Sequence, residues 1–167
     1  MQRRLVLIRH ASAAHAPVDA DRPLTDRGVE QAAAIGRRLQ QAALRPDLVV
    51  VSPALRAQQT WEGAAGQLPT PPTPVVDERI YDNTVEALFA VLHEIAADCG
   101  VGALVGHNPS VGLVASVLDS GEGSPAALRN LRAGFPTGGV AVFTLDTPFD
   151  ALAPGTATLT DFTVPHA

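Results

Sequence analysis

Three short stretches carry residues whose types could do chemistry together. Arg9 and His10 close an apolar run that begins at Leu5. Ser52 and Pro53 close a second run, with Arg56 shortly behind. Gly106, His107, Asn108 and Pro109 close a third. A neutral imidazole can act as a nucleophile or move a proton, and its two nitrogens take different roles. A guanidinium can hold two oxygens of one anion at once. Each residue alone also has a plain structural reading. A histidine at a strand end is often a packing group, Arg9 could be a surface charge, and Arg56 could pair with Glu62 or Asp47. Taken jointly, two imidazoles and two guanidiniums at one end of a sheet form a candidate functional cluster, and the structural reading stands beside it.

The elements around these stretches decide whether they meet. Residues 4–9 read as a short buried strand, followed by an irregular loop to Pro23. A helix is expected over 26–43, with Val29, Ala32, Ala33, Gly36, Leu39 and Ala43 at the helical period. Residues 48–51 are a second strand. Ser52 as cap and Pro53 at the first helical position predict a helix to about Leu68. The run at 69–74 breaks the chain, and 75–77 form a third strand. Asn83 with Glu86 suggests a cap for a helix to about Asp98. Residues 102–106 form a fourth strand, Asn108 and Pro109 open a helix to about Leu118, and Ser124 and Pro125 open a short one. Residues 139–145 and 157–163 are two last strands, suited to an antiparallel edge, with no helix expected between them. Strands alternating with helices indicate an α/β sandwich. Ligands in such sheets bind outside the carboxyl ends of the strands, which is where the three stretches lie. Arg56 in the first turn of its helix would sit near free N–H groups and the positive dipole end.

Composition narrows the classes. A chain of 167 residues fits one domain, 1–167, and 46% apolar residues can fill a sizeable core. The net charge is −5, with twelve arginines and no lysine, which argues against nonspecific nucleic-acid binding. A basic pocket inside an acidic protein remains compatible with that total. Cys99 is the sole cysteine, so no internal disulfide forms. No signal peptide or membrane span is read, and a cytoplasmic location is expected. His15, His93 and His166 complete no metal site, since His10 and His15 are five apart, off a shared helical face. His93 is expected on a solvated helix flank. Trp61 reads as packing, and Tyr81 as packing or as part of a loop near the site. The glycines of 100–106 bracket a strand, unlike a dinucleotide loop, which follows one.

Four blocks in order, "IRHA" at 8–11, "DRPLTDRG" at 21–28, "SPALRAQQT" at 52–60 and "GHNP" at 106–109, resemble the histidine phosphatase superfamily. The resemblance spans about residues 4–145 and is nearest the small SixA-like phosphohistidine-phosphatase branch. It implies a phosphoglycerate-mutase-like fold: a three-layer α/β/α sandwich around a mostly parallel sheet of five to six strands, with a minimal cap. It implies His10 as nucleophile, with Arg9, Arg56 and His107 holding the phosphoryl oxygens and no metal or organic cofactor. Asn108, Asp21 and Ser52 stand in the matched blocks and are expected as substrate contacts, although capping also explains Asn108 and Ser52. Ala11 replaces the usual glycine, which matters only if position 11 requires a positive φ.

The implied reaction is transfer of a phosphoryl group to His10, then hydrolysis of that phosphohistidine. Glu78, Asp82, Glu86 and Asp21 are candidates for a general acid, and no motif assigns that role to any of them. A phosphohistidine substrate needs such an acid least. The short connection between Arg56 and His107 leaves little chain for a lid, which favours a phosphorylated protein as partner. A small-molecule phosphomonoesterase is the alternative, and a phosphate-binding protein without turnover is a further one. A monomer is expected.

Overall fold

The computed structural model describes residues 2–166. Strands β1 (Arg3–Arg9), β2 (Leu48–Val51), β3 (Val75–Val76), β4 (Val101–Gly106), β5 (Val140–Leu145) and β6 (Ala157–Thr163) form one sheet in the order β3-β2-β4-β1-β5-β6. The first four are mutually parallel, while β5 runs antiparallel to β1 and β6 antiparallel to β5. The helices are α1 (Asp26–Gln41), α2 (Leu55–Ala65), α3 (Val85–His93), α4 (Ser110–Leu118) and α5 (Pro125–Arg132). The expected α/β/α sandwich is therefore the fold, with an antiparallel pair at one edge.

Alternation along β1 divides the core. Val6 and Ile8 pack with Ile35, Leu39, Trp61 and Val105 on the α1–α2 side. Leu5 and Leu7 pack with Leu88, Leu92, Val114, Leu128 and Phe143 on the other. Helix α1 starts at Thr25, whose Oγ1 accepts the Gly28 N–H at 3.0 Å. Its buried face is rotated from the expected stripe. Val29 is 56% exposed, whereas Gln31 is buried and its Oε1 accepts the Ser12 N–H. A backbone donor in the first loop needed a partner, and a glutamine met that need. Helices α1 and α2 meet closely: a Cβ on Gly36 would lie 2.2 Å from the Ala64 carbonyl oxygen.

Three helix starts differ from expectation. Helix α2 begins at Leu55 with Ala54 as an N-cap that makes no side-chain bond, so Ser52 and Pro53 lie outside it. Thr84, not Asn83, caps α3, because Asn83 has a left-handed backbone (φ 61°). Helix α3 also stops at His93 rather than near Asp98, and His93 is half-buried with Nε2 against the Leu152 carbonyl, not solvated. Helix α4 begins at Ser110 after a cis Asn108–Pro109 bond. Short 3-10 turns occupy Asp19–Asp21, Glu78–Asp82 and Phe149–Ala151, the last between β5 and β6 where no helix was expected. No helix among the described residues is long and apolar enough to cross a membrane.

Candidate active site

Register brings the three stretches together. Arg9 pairs with Gly106 across β1 and β4, and the His10 N–H donates to the Gly106 carbonyl at 3.0 Å. The two residues that follow, His10 and His107, stand with ring centroids 5.4 Å apart. Val51 pairs with Val105, which sets Ser52 at the same level. Thr60 fastens α2 to this edge: its Oγ1 accepts the Ala11 N–H at 2.9 Å and donates to the Arg56 carbonyl at 2.7 Å. Gln59 Oε1 accepts the Leu24 N–H and holds the first loop to the same helix. Ala11 is buried and is not among the residues with positive φ, so alanine fits without strain.

The result is a cavity of about 480 Å³ whose lining includes Arg9, His10, Arg56, His107 and Asn108. A larger cavity, about 710 Å³, lies beside Phe135, Phe162 and Val164 and contains none of these five. Buried His10 gives its Nδ1 to the Ala11 carbonyl at 2.8 Å. A carbonyl only accepts, so Nδ1 carries the proton and Nε2 keeps its lone pair. Burial, with Arg56, Arg9 and Arg22 adding to it, lowers the His10 pKa to about 4 against the opposing Ala11 bond. Burial, then Arg56 and His10, lowers His107 to about 3. Both imidazoles are thus neutral near pH 7.

The guanidiniums are partly committed. Arg9 Nη1 donates to the Phe135 carbonyl at 3.0 Å, while its Nε is buried and unpartnered. Both terminal nitrogens of buried Arg56 go to Asp19: Nη1 to the carbonyl at 2.9 Å and Nη2 to the carboxylate at 3.1 Å. The Arg56 Nε is buried and unpartnered, and each terminal nitrogen keeps a second N–H beyond its bond to Asp19, so Asp19 shares the guanidinium with any incoming anion. His107 Nδ1 is likewise buried without a partner. Among the described residues, three buried nitrogens without a partner, Arg9 Nε, Arg56 Nε and His107 Nδ1, thus belong to residues lining one cavity.

Other expected contacts fall elsewhere. Ser52 is fully buried behind His107, its Oγ 2.7 Å from Nε2, and does not line the cavity. Asn108 lines it, but its amide is already used, donating to Phe135 and accepting from Gly112. Asp21 is exposed and outside the lining, whereas Asp19, at the start of the same 3-10 turn and also exposed, stands at the cavity. The candidate acids Glu78, Asp82 and Glu86 are exposed and outside it as well. Arg22, within the matched block at 21–28, also lines the cavity, as do residues outside the blocks: Asp19, Asn83, Ser12, Thr137 and Tyr81. Asp19 accepts from Tyr81, Arg56 and Arg22, and the Tyr81 hydroxyl foremost, then Arg56 and Arg22, lower its pKa to about 2. Its only sequence signal was a carboxylate in an irregular loop.

An imidazole with a free lone pair and convergent guanidiniums at the carboxyl edge of a parallel sheet fits a phosphoryl-transfer class of site. The family comparison agrees. The model of the histidine phosphatase superfamily (branch 1) matches residues 5–108, and the chain belongs to that family. It is a phosphatase, a hydrolase of that superfamily. Phosphohistidine phosphatase SixA of Escherichia coli K12 is 31% identical over 146 residues, 86% of each chain. A protein of Mycobacterium tuberculosis H37Rv is 31% identical over 162 residues, 95% of this chain and all of its own. The structure of the protein histidine phosphatase SixA complexed with tungstate superimposes with TM-score 0.79 at 27% identity, covering 97% of both chains.

Proposed function

We propose that the protein removes the phosphoryl group from phosphohistidine in a protein substrate, with His10 as the nucleophile. His10 Nε2 attacks phosphorus in line, and the P–N bond of the substrate breaks. The departing imidazole leaves neutral because its other nitrogen is protonated beforehand. The phosphoryl group then rests on His10 Nε2, with Nδ1–H still donating to Ala11. Water attacks phosphorus, the P–Nε2 bond breaks, and phosphate departs with the water oxygen. Arg9, Arg56 and His107 offer donors to the equatorial oxygens, where loss of one such contact costs about 2–4 kcal/mol of barrier.

One observation carries the choice of substrate. Asp19 is the one carboxylate among the residues lining the cavity, and its cationic and phenolic neighbours keep it ionised well below neutral pH. It has no proton to give an alkoxide. A phosphorylated imidazole brings its own, so a P–N bond fits this site better than a sugar ester. The short connection through β3 and the Glu78–Asp82 turn also leaves room for a protein surface. The likeness to SixA of Escherichia coli, a phosphohistidine phosphatase by name, supports the same reading. The test is phosphate release from a phosphohistidine protein against a panel of sugar and glycerate phosphates. A kcat/KM favouring the phosphohistidine protein is expected. Preference for the small esters would replace this reading with a phosphomonoesterase.

A further inference from the structure

Fully buried Ser52 sits behind His107, away from the cavity, and its hydroxyl is the sole hydrogen-bond partner of that ring among the described residues. Two protonation patterns satisfy the 2.7 Å contact between Oγ and Nε2: the imidazole donates, or the serine does. The far side of the ring chooses between them. Nδ1 is buried with no protein partner, on a residue that lines the cavity. A phosphoryl dianion offers only acceptor oxygens, so a lone pair on Nδ1 would repel it and an N–H would hold it. A neutral ring has a single proton, and placing it on Nδ1 makes Nε2 an acceptor. Ser52 can then donate, because its oxygen already accepts the Ala54 N–H at 3.2 Å while its own proton stays free.

We infer that Ser52 is a positioning residue that holds His107 in the Nδ1–H form by donating its hydroxyl proton to Nε2, so that His107 enters the reaction as a neutral hydrogen-bond donor. This rests on the reading of the cavity as a phosphoryl site, but not on which phosphorylated substrate it takes. It also accounts for a serine at the end of β2 that caps no helix. A serine serving the fold alone would satisfy Ala54 and leave the tautomer of His107 unfixed.

The tautomer is read directly by long-range proton–nitrogen NMR on the labelled full chain before phosphate is added, because an anion at Nδ1 would itself favour the Nδ1–H form. A protonated Nδ1 and a pyridine-like Nε2 on His107 are expected in the wild type, and a proton on Nε2 overturns the inference. In Ser52→Ala the Nε2–H form should appear, and inorganic phosphate should bind at least tenfold more weakly. Ser52→Thr, which keeps the hydroxyl, should restore the Nδ1–H signature. A Ser52→Ala variant with unchanged tautomer and phosphate affinity also overturns it. Failure of the proposed function would show instead as a wild type inactive on phosphohistidine protein, with these NMR results intact.

Discussion

His10 and His107 are neighbours of the same type with different groups behind each ring, a carbonyl and a hydroxyl. A carbonyl behind His10 keeps its proton away from the cavity and leaves a nucleophilic lone pair. A hydroxyl behind His107 permits the reverse. The motifs made both histidines and both arginines legible, because each stands at a strand end or a helix start. Asp19 was not legible: its role depends on a loop meeting Arg56 and Tyr81 from 37 and 62 residues away. That carboxylate is also the one anion in a cationic cavity, which gives a prediction. Asp19→Asn keeps an oxygen for Arg56 and Tyr81 but removes the charge facing an incoming phosphate. Inorganic phosphate should then inhibit roughly 3- to 30-fold more strongly, the scale of one unit charge removed from a few ångströms away in a partly screened site. Weaker inhibition in a product-inhibition assay would show that Asp19 mainly holds Arg56 in place.

Among the elements, period and turn chemistry located every strand and helix, while three helix starts were misplaced, two of them for one reason. Ser52, Asn83 and Asn108 look like caps in sequence, and the first two are spent on the site's scaffold instead. Ser52 supports His107, and Asn83 joins the Asn108 carbonyl to the Ser110 N–H. Local propensity cannot distinguish a polar group that caps its own helix from one that serves a distant strand end. The approach of α1 to α2 was equally hidden, since it depends on backbone contact at Gly36. Gly36→Ala tests it. Helix propensity alone favours alanine by about 1 kcal/mol. The Cβ, however, would fall 2.2 Å from the Ala64 carbonyl oxygen, which is main chain and cannot swing away. A net loss of about 1–3 kcal/mol is expected in urea unfolding. A gain would mean that the two helices have slack. Because Thr60 on α2 fastens Arg56 to the β1 edge, the same variant should also lose activity.

For the whole molecule, the buried imidazoles couple the site to stability. His10 and His107 have folded pKa values of about 4 and about 3, below the ordinary 6.5 of an unfolded histidine. Between those limits the unfolded chain binds more protons, so stability rises with pH and is lost as pH falls from 6.5 toward 4. Each group contributes up to about 3 kcal/mol over that window. Unfolding free energy measured in urea should therefore fall by about 2–5 kcal/mol between pH 7 and pH 4.5. A value independent of pH would show that the imidazoles are not held neutral by the fold. A sheet that packs apolar side chains on both faces can hold two such histidines at one edge, and neutrality leaves His10 Nε2 with its lone pair. The step that distinguishes the proposed chemistry is a covalent bond from His10 Nε2 to phosphorus. Rapid quenching with a radiolabelled phosphohistidine protein, followed by mapping of the labelled residue, measures it. Label on His10, lost in acid, stable in base and absent from His10→Ala, is expected. Turnover with no label on His10, or undiminished turnover by His10→Ala, would contradict it.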